Sequence, residues 1–395
     1  MGNKDCHLII DGEVLVSTVR SGIGHYVFSL VSEIDFLITS SSCFDIEVSL
    51  LLPEFMASRD IFDHQFDNIR IEIIPFSFKS RFDNFDPIVM DNDGKYLFNR
   101  FGPAVYFFPN FYSVEVPHSS SIVVIHDLAF MLYPKYVKQE NVRRLSVAVS
   151  YAVRSESTIA TVSESSRNII RSHFNVSDER ITLICGGVDC LDFYRRSLEE
   201  IEEAKKKYGI TGDYILSFGN IEPRKNQISL VKAFRQLPLH FRQRYCLVFV
   251  GAASWCSDEF YREVAVARSE GLRIQIFLNK VIDSDRPAIY SGATAMAYIS
   301  FYEGFGIPVV EALAVGTPVI LSSIDALIEV SGGNGFFVNP QSIDDISMAI
   351  RAVDSLKSDE KILLKSSGID NVKRYSWNVA ASSLVGIITN LRALI

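Results

Sequence analysis

Short runs rich in valine, isoleucine and phenylalanine recur along the whole chain, with helix-like stretches between them. Each run is apolar throughout, which is typical of strands buried on both faces of a sheet, and interleaved helices favour parallel strands. The sequence therefore predicts an α/β fold. The predicted strands are HLIID, DIEVSLLL, RIEIIPF, VYFFP, SIVVIHD and TIATVS in a first series, and YILSFGN, CLVFVG, RIQIFL, AMAYIS, TPVIL and GFFV in a second.

A charge-dense segment, SLEEIEEAKKK at residues 197–207, separates the two series of about six strands. At roughly 100 to 200 residues per domain, a chain of 395 residues should hold two or three domains. The simplest arrangement is two Rossmann-like halves joined near residues 190–212. Open α/β sheets bind ligands beyond the carboxyl ends of their strands, so two such sheets facing each other would form a deep cleft.

Charge and hydropathy exclude several classes of protein. Lys and Arg total 39 against 47 Asp and Glu, a net charge of −8, so binding to nucleic acid is not expected. No stretch reaches the roughly 18 apolar residues of a membrane span, and the first residues lack the apolar segment of a signal peptide. We expect a cytoplasmic protein with at most peripheral membrane contact. The six cysteines form no C-x-x-C pair and are expected to be reduced.

Phenylalanine is dense between residues 54 and 113. They include Phe76, Phe78, Phe82, Phe85, Phe98, Phe101, Phe107, Phe108 and Phe111. Within residues 77–100 they mix with Lys79, Arg81 and Lys95, which could present an aromatic and basic edge to an acceptor or a membrane. We favour the alternative, an insertion that packs on its own domain.

The strongest local signal is the segment EGFGIPVVE, followed by ALAVG. Pro308 suits the first turn of a helix and Gly316 its end, so a helix is predicted over about 308–315. Its free backbone N–H groups would form an anion site, and Gly304 and Gly306 would let a ligand approach the main chain closely.

Two glutamates flank that predicted helix start. Glu303 lies in the loop and Glu311 one turn into the helix, both expected on the ligand side. Carboxylates suit hydroxyl-rich ligands because each can accept two hydrogen bonds from the vicinal diols of a pyranose or a ribose. The segment therefore predicts a site for a sugar, a phosphate or both.

An arginine and a lysine stand side by side in SFGNIEPRKN, after the first strand of the second series. Arg224 can bind a diphosphate as a planar fork and Lys225 as a point charge. An Arg-Lys pair in a loop is weak support by itself, because such pairs are usually solvated.

Two segments of the first series are further candidates. Gly22 and Gly24 lie between the first strand and an apolar helix, but a lone G-x-G is common there and no third glycine supports a dinucleotide site. His126 and Asp127 end the strand SIVVIHD, at the usual functional edge of an open sheet. A hydrogen-bonded structural histidine is the alternative.

At these residues the chain resembles the family-four retaining glycosyltransferases, whose motif of two glutamates separated by seven residues matches Glu303 and Glu311. SFGNIEPRKN resembles that family's phosphate-binding stretch, and Gly22 and Gly24 its first glycine loop. TVSESS resembles its strand followed by a serine-capped helix, and CGGVD its N-G-V-D, with a departure at the first two residues. The resemblance covers nearly the whole chain and is weakest between residues 54 and 113.

The resemblance implies a GT-B fold, in which two Rossmann-like domains face each other across a deep cleft. The implied acceptor-binding domain is residues 1–192, completed by a C-terminal helix at about 377–395. The implied donor-binding domain, which would hold a nucleotide sugar, is residues 193–376.

The resemblance also implies the site residues. The implied catalytic residues are Glu303, His126, Asp127, Arg224 and Lys225. The implied donor-binding residues are Gly22, Gly24, Gly219, Arg224, Lys225, Val281, Gly304, Phe305, Gly306 and Glu311. Glu303 and His126 would hold the donor sugar, Glu311 the ribose, the Arg-Lys pair the diphosphate, and residues around Val281 the base.

No cofactor and no metal is expected. Two D-x-D patterns, at residues 91–93 and 283–285, match the metal-binding pattern of the other major glycosyltransferase fold. Both lie in polar, turn-like surroundings, and such patterns arise by chance in acidic chains. The arginine-lysine pair and a helix amino terminus already supply the positive charge that a metal would bring.

The implied reaction is transfer of a hexose, with retention of configuration, from a nucleoside diphosphate sugar to a glycan or a lipid-linked acceptor. GDP-mannose is the favoured donor, with UDP- and dTDP-linked sugars open, and surface polysaccharide of the O-antigen type is the favoured product. The alternatives are a nucleotide-sugar epimerase, hydrolase or phosphorylase of the same fold, and a non-catalytic, two-lobed sugar-binding protein.

Overall fold

The computed structural model describes residues 6–16, 21–40, 46–54, 66–83, 97–189, 192–255 and 257–392. The chain divides into two compact units, Met1–Gly187 with Trp377–Ile395, and Val188–Ser376. The boundary between the first unit and the second follows Gly187, whereas the sequence analysis placed it after residue 192.

The first unit contains, among its described residues, a sheet of seven strands in the order β3-β2-β1-β4-β5-β6-β7, with every neighbouring pair parallel. The strands are β1 (Cys6–Asp11), β2 (Ile46–Pro53), β3 (Ile69–Ile74), β4 (Val105–Phe108), β5 (Ser120–Val124), β6 (Thr158–Thr161) and β7 (Ile181–Leu183). The sequence predicted the first six of them. The helices are α1 (Gly22–Ser40), α2 (Phe78–Arg81), α3 (Ala129–Leu132), α4 (Gln139–Arg154) and α5 (Glu164–Phe174).

The phenylalanine-rich segment packs into the core of its own unit. Phe76, Phe78, Phe82 and Phe98 are buried, and the rings of Phe76 and Phe78 meet edge to face at 5.3 Å. The insertion favoured from the sequence is therefore confirmed for these residues. An exposed edge built on Phe78 and Phe82 is wrong, because both rings are buried. Phe85 and Lys95 lie outside the described residues.

The second unit contains, within the residues described, six parallel strands in the order β10-β9-β8-β11-β12-β13. The strands are β8 (Asp213–Phe218), β9 (Tyr245–Gly251), β10 (Ile274–Leu278), β11 (Ala295–Tyr298), β12 (Val319–Ser322) and β13 (Phe336–Val338). The helices are α6 (Leu198–Tyr208), α7 (Gln227–Gln236), α8 (Leu239–Arg244), α9 (Asp258–Ser269), α10 (Arg286–Gly292), α11 (Ile307–Ala314), α12 (Asp325–Ser331), α13 (Ile343–Asp354) and α14 (Ser358–Val372).

Strand order creates a switch point in the second sheet. The chain runs from β8 to β9 and β10 on one side, and then returns to β11 on the other side of β8. The connections that leave β8 and β11 therefore diverge at their carboxyl ends, which is where open α/β sheets bind ligands. The predicted site residues of this unit follow these two strands, except Val281, which follows β10.

Local sequence explains the helix ends. Ser197 and Glu200 form a capping box at the start of α6, and Gly209 ends that helix in a left-handed conformation. The helix predicted from SLEEIEEAKKK is thereby confirmed. The serine-capped helix predicted after β6 is also confirmed, because the Ser163 hydroxyl accepts a hydrogen bond from the Ser166 amide at 3.0 Å.

The last helix, α15 (Trp377–Arg392), belongs to the first unit. It packs against α1, and the Asn378 side chain donates a hydrogen bond to Glu33 at 2.9 Å. No helix within the described part of the chain is long and apolar enough to cross a bilayer. Of the cysteines described, Cys6, Cys185 and Cys246 form no disulfide.

Candidate functional site

The loop after β8 begins with a close approach of two backbones. Gly219 has φ = 134°, a conformation that favours glycine, and its amide donates to the Val250 carbonyl at 2.8 Å. A Cβ on Gly251, at the end of β9, would lie 2.0 Å from the Gly219 carbonyl oxygen. Both glycines are thus required for β8 and β9 to end side by side.

Arg224 and Lys225 lie in a 3-10 turn, Pro223–Lys225, that precedes α7. Asn226 ends this turn in a left-handed conformation, with φ = 54°. The Arg224 carbonyl accepts a hydrogen bond from the Phe301 amide at 2.9 Å, which ties the loop after β8 to the loop after β11. The turn therefore holds both cations beside the residues that follow β11.

Glu303 lies between these two cations. Its Oε2 accepts from Arg224 Nη1 at 2.8 Å, and its Oε1 accepts from Lys225 Nζ at 2.6 Å. Arg224 also donates to Glu222 Oε1 and to the Tyr302 carbonyl, each at 2.8 Å. The residues predicted to bind the diphosphate and the residue predicted to bind the sugar thus form one ion-pair network. The sequence did not predict this contact.

The charges of this network shift the pKa of its members. Burial alone would raise the pKa of Glu303, whose residue exposure is 7%, but the positive charges of Arg224 and Lys225 outweigh it and lower the pKa to about 2. Burial lowers the pKa of Lys225, and the negative charge of Glu303 opposes this. At neutral pH, Glu303 is therefore a carboxylate.

The helix predicted over 308–315 is α11, which begins and ends one residue earlier. Gly306 precedes it with φ = 121°, and Gly304 lies in the loop between Glu303 and Gly306. Val309 and Val310 donate to the Gly306 carbonyl. Among the described residues this leaves the Gly306 and Ile307 amides without an acceptor, so these two N–H groups are available to an anion at the start of α11.

Two predicted donor contacts differ in accessibility. The Phe305 side chain is buried and meets Tyr375 edge to face at 5.2 Å, so its contact with a donor would use the backbone. Val281 is partly exposed in the loop between β10 and a 3-10 turn, Asp283–Asp285. Its role beside the base stays a prediction.

Glu311 is fully engaged inside the unit, contrary to the expected ligand-facing position. It is 1% exposed, its Oε2 accepts from the Tyr290 hydroxyl at 2.7 Å, and its Oε1 is bonded to Arg286. The Arg286 guanidinium in turn lies 4.9 Å from the ring centre of Phe218, the last residue of β8. A ribose contact of Glu311 stays a prediction, and it would require these partners to share the carboxylate.

In the first unit, His126 follows β5 and is buried. Its Nε2 lies 2.7 Å from the Pro109 carbonyl and donates to it. Burial lowers the pKa of His126 to about 4, against the effect of this hydrogen bond, so the ring is neutral at pH 7. Only Nδ1 remains for a ligand. The neighbouring Asp127 accepts from the Ala129 amide at 2.8 Å and so fixes the turn that enters α3.

Gly22 and Gly24 form the first turn of α1 rather than a loop before it, which corrects the expected glycine loop. The Ser21 hydroxyl accepts from the Gly24 amide at 3.1 Å. The ring of Tyr26, on the next turn, meets His126 edge to face at 5.1 Å. The structure therefore brings this helix start and His126 together within the first unit.

The D-x-D pattern at residues 283–285 has structural partners. Asp285 accepts from Lys207 and from Tyr208, both at 2.6 Å, and Asp283 pairs with Arg286 at 3.4 Å. No cluster of three or more His, Cys, Asp or Glu side chains that could hold a metal occurs in the part of the chain that is described. Residues 91–93 lie outside that part.

Comparison with known proteins identifies the family. The family profile described as "Glycosyl transferases group 1" matches residues 200–366. O-antigen chain mannosyltransferase B of Escherichia coli is 34% identical over 281 residues, which are 69% of this chain and 71% of that enzyme. The chain belongs to the group 1 glycosyltransferases. The resemblance drawn from its motifs is thereby confirmed.

Further relatives and structures agree with this family. Serotype-specific mannosyltransferase WbdA of Escherichia coli is 28% identical over 296 residues. The match covers 71% of this chain and 35% of WbdA. Sucrose-phosphate synthase from Thermosynechococcus elongatus has a TM-score of 0.72 at 16% identity, covering 99% of this chain and 100% of that one. The structure of Anabaena HepE in complex with UDP-glucose has a TM-score of 0.69 at 16% identity, covering 97% of this chain and 99% of that one. The predicted GT-B fold is confirmed.

The structure adds residues that sequence reasoning missed. Glu222 and Tyr298 contact Arg224 and Lys225, and Arg286 contacts Glu311. Glu222 was visible as a carboxylate two residues before Arg224. Tyr298 gave only the weaker signal of a hydroxyl at the carboxyl end of an apolar strand.

Proposed function

We propose that this group 1 glycosyltransferase moves a mannosyl group from a nucleoside diphosphate mannose, with GDP favoured, to a hydroxyl of a glycan or lipid-linked acceptor. The observation that carries the proposal is the pairing of Arg224 and Lys225 with Glu303 at the switch point of the second sheet. The choice of mannose is supported by the two relatives named as mannosyltransferases.

Departure of the nucleoside diphosphate is the difficult step of the reaction, because negative charge accumulates on the leaving phosphate. Arg224 and Lys225 would stabilise that charge, together with the amides at the start of α11. A well-placed donor of this kind is typically worth about 3 kcal/mol in the transition state. Glu303 would accept hydrogen bonds from the hydroxyls of the sugar.

We further propose that transfer retains the anomeric configuration, needs no metal and serves a surface polysaccharide of the O-antigen type. Attack from the face that the leaving group vacates would let the departing phosphate take the acceptor proton, so no protein nucleophile is assigned. The acceptor would be a growing glycan on a lipid carrier at the inner face of the cell membrane. The roles of His126 in sugar binding and of Asp127 as an acid or base stay predictions.

The test is an assay of the purified full chain with GDP-mannose, UDP-glucose and dTDP-linked sugars and a lipid-linked mannose acceptor, with and without EDTA. We expect mannose transfer in EDTA and an α-linked product by NMR. Arg224→Ala with Lys225→Ala should abolish transfer, whereas Lys205→Ala with Lys206→Ala, which removes the same charge from α6, should not. Transfer of another sugar in place of mannose, or a β-linked product, would contradict the corresponding part of the proposal.

A further inference from the structure

Lys225 is held by two groups. Its Nζ donates to Glu303 Oε1 at 2.6 Å and to the hydroxyl of Tyr298, and it lies 4.6 Å from the centre of the Tyr298 ring. An ammonium group has three N–H donors. Within the described residues the third donor has no acceptor. Two contacts thus fix the direction of the third N–H.

Tyr298 is suited to this task because it is buried at the end of a strand. It is the last residue of β11 and is 4% exposed. A Cβ placed on Gly219 would lie 3.9 Å from Tyr298 Cε2 and 3.8 Å from Lys225 Cε. A longer side chain at residue 219 would therefore extend beside the ammonium group. The glycine leaves that approach uncovered.

Arg224 is held in a comparable way. Its Nη2 donates to Glu222 Oε1, while its Nη1 donates to Glu303 Oε2 and to the Tyr302 carbonyl, all at 2.8 Å. The Glu222 and Arg224 side chains are 15% and 17% exposed, so the pair is largely shielded from water. A guanidinium group that is already fixed loses less conformational entropy when it binds an anion.

We propose that Glu222 and Tyr298 are positioning residues of the donor site, which hold Arg224 and Lys225 in the orientation that binds the diphosphate of the donor. Glu222 acts on the guanidinium group from one side, and Tyr298 acts on the ammonium group from the other. This inference rests on the proposed function, in which the donor is a nucleoside diphosphate sugar.

The experiment is calorimetric titration of the full chain with GDP, and with UDP as a second probe. Tyr298→Phe should weaken binding about tenfold, which is typical for loss of a hydrogen bond to a charged group. Glu222→Ala should bind GDP about tenfold more weakly than Glu222→Gln, because both variants lose the same negative charge and only the glutamine oxygen can still accept from Arg224. The matched control is Tyr214→Phe, which removes a buried hydroxyl bonded to the Ile289 carbonyl at 2.5 Å near the amino end of β8.

The pH dependence separates positioning from a purely structural effect. The charged groups around Lys225 are Glu303, Arg224 and Glu222, with the Tyr298 hydroxyl bonded directly to it. Because that hydroxyl stabilises the ammonium form, Tyr298→Phe should move the alkaline limit of GDP binding to lower pH. Tyr214→Phe should leave that limit and the affinity unchanged.

Each outcome decides one of two questions. If the wild type binds neither GDP nor UDP, the proposed function and this inference are both overturned. If the wild type binds, Tyr298→Phe keeps the affinity and pH limit of the wild type, and Glu222→Ala binds as tightly as Glu222→Gln, only the inference is overturned. Should Tyr298→Phe not fold, the comparison of Glu222→Ala with Glu222→Gln decides the proposal.

Discussion

Replacing Glu303 by glutamine should separate binding of the nucleoside diphosphate from sugar transfer. Glutamine keeps an oxygen that can accept from Lys225, so the geometry of the network is preserved while its charge changes. The four side chains Glu222, Arg224, Lys225 and Glu303 sum to zero charge, and the substitution makes the sum +1. We therefore expect Glu303→Gln to bind free GDP or UDP more tightly and to transfer sugar poorly.

The pKa of Glu303 sets the magnitude. Burial would raise this pKa above the usual 4.5, yet Arg224 and Lys225 lower it to about 2. The difference between 4.5 and about 2 is worth about 3 kcal/mol at about 1.36 kcal/mol per unit of pKa. One unit charge about 6 Å from a phosphate, at an effective dielectric of about 20, gives a similar energy of about 3 kcal/mol. Water at the site reduces this, so we expect about tenfold tighter binding.

Two assays are needed. Calorimetry gives the dissociation constant of GDP or UDP, and a transfer assay gives turnover with the intact donor. Turnover should fall about 100-fold or more, because the carboxylate that accepts from the sugar hydroxyls is lost. The matched control is Glu263→Gln, which removes a carboxylate bonded to Arg235 at 2.5 Å between α7 and α9. It should change neither quantity.

Two results would refute this reasoning. Unchanged or weaker GDP and UDP binding by Glu303→Gln would mean that Glu303 does not compete with the diphosphate for the two cations. Near-normal turnover would remove Glu303 from the catalytic site altogether.

Three further predictions concern stability and metal dependence. Because the pKa of Glu303 is depressed, its ion pairs stabilise the native state fully above pH 4.5 and lose that effect as the pH falls towards about 2. In urea unfolding, the difference in unfolding free energy between wild type and Glu303→Gln should therefore be smaller at pH 3 than at pH 7. Gly251→Ala should cost about 1 to 3 kcal/mol of unfolding free energy, since its Cβ would lie 2.0 Å from the Gly219 oxygen. The control is Gly386→Ala in α15, where the added Cβ would have nothing within 4 Å, and it should be neutral or stabilising. A neutral Gly251→Ala would contradict the close approach. Activity should survive excess EDTA and Asp283→Asn; loss that manganese restores would revive a metal site.

The α/β fold was predictable because its strands are continuous apolar runs bounded by helices. Strand β7 escaped prediction because it has only three residues, Ile181–Leu183, too few to make a distinct run. The helix at 197–207 was predictable from local chemistry, since its serine cap, glutamate and terminal glycine are all within its own sequence.

The site was predictable residue by residue, whereas its pairings were not. Arg224 and Lys225 were singled out from their place side by side after an apolar strand, and Glu303 from the glycine loop before a predicted helix. Their contact depends on β8 and β11 being neighbours, which is a property of strand order and not of either segment. For the same reason Tyr298, which lies on one strand and acts on the loop of the other, was missed.

Two expected positions differ from the structure because residues outside the motif decided them. Glu311 was expected to face a ligand, but Arg286 and Tyr290 come from α10 and occupy its carboxylate. Gly22 and Gly24 were expected in a loop, but a serine before them begins the helix early. Neither a long-range ion pair nor the exact start of a helix is visible in a short motif.

The central claim is that Arg224 and Lys225 form the diphosphate site of a sugar donor. The most direct measurement is calorimetric binding of GDP, UDP, dTDP, ADP and their common sugar conjugates to the wild type without added metal, and to the variant with Arg224→Ala and Lys225→Ala. We expect micromolar binding of one nucleoside diphosphate by the wild type and none by the variant. Equal binding by both proteins, or none by the wild type, would contradict it.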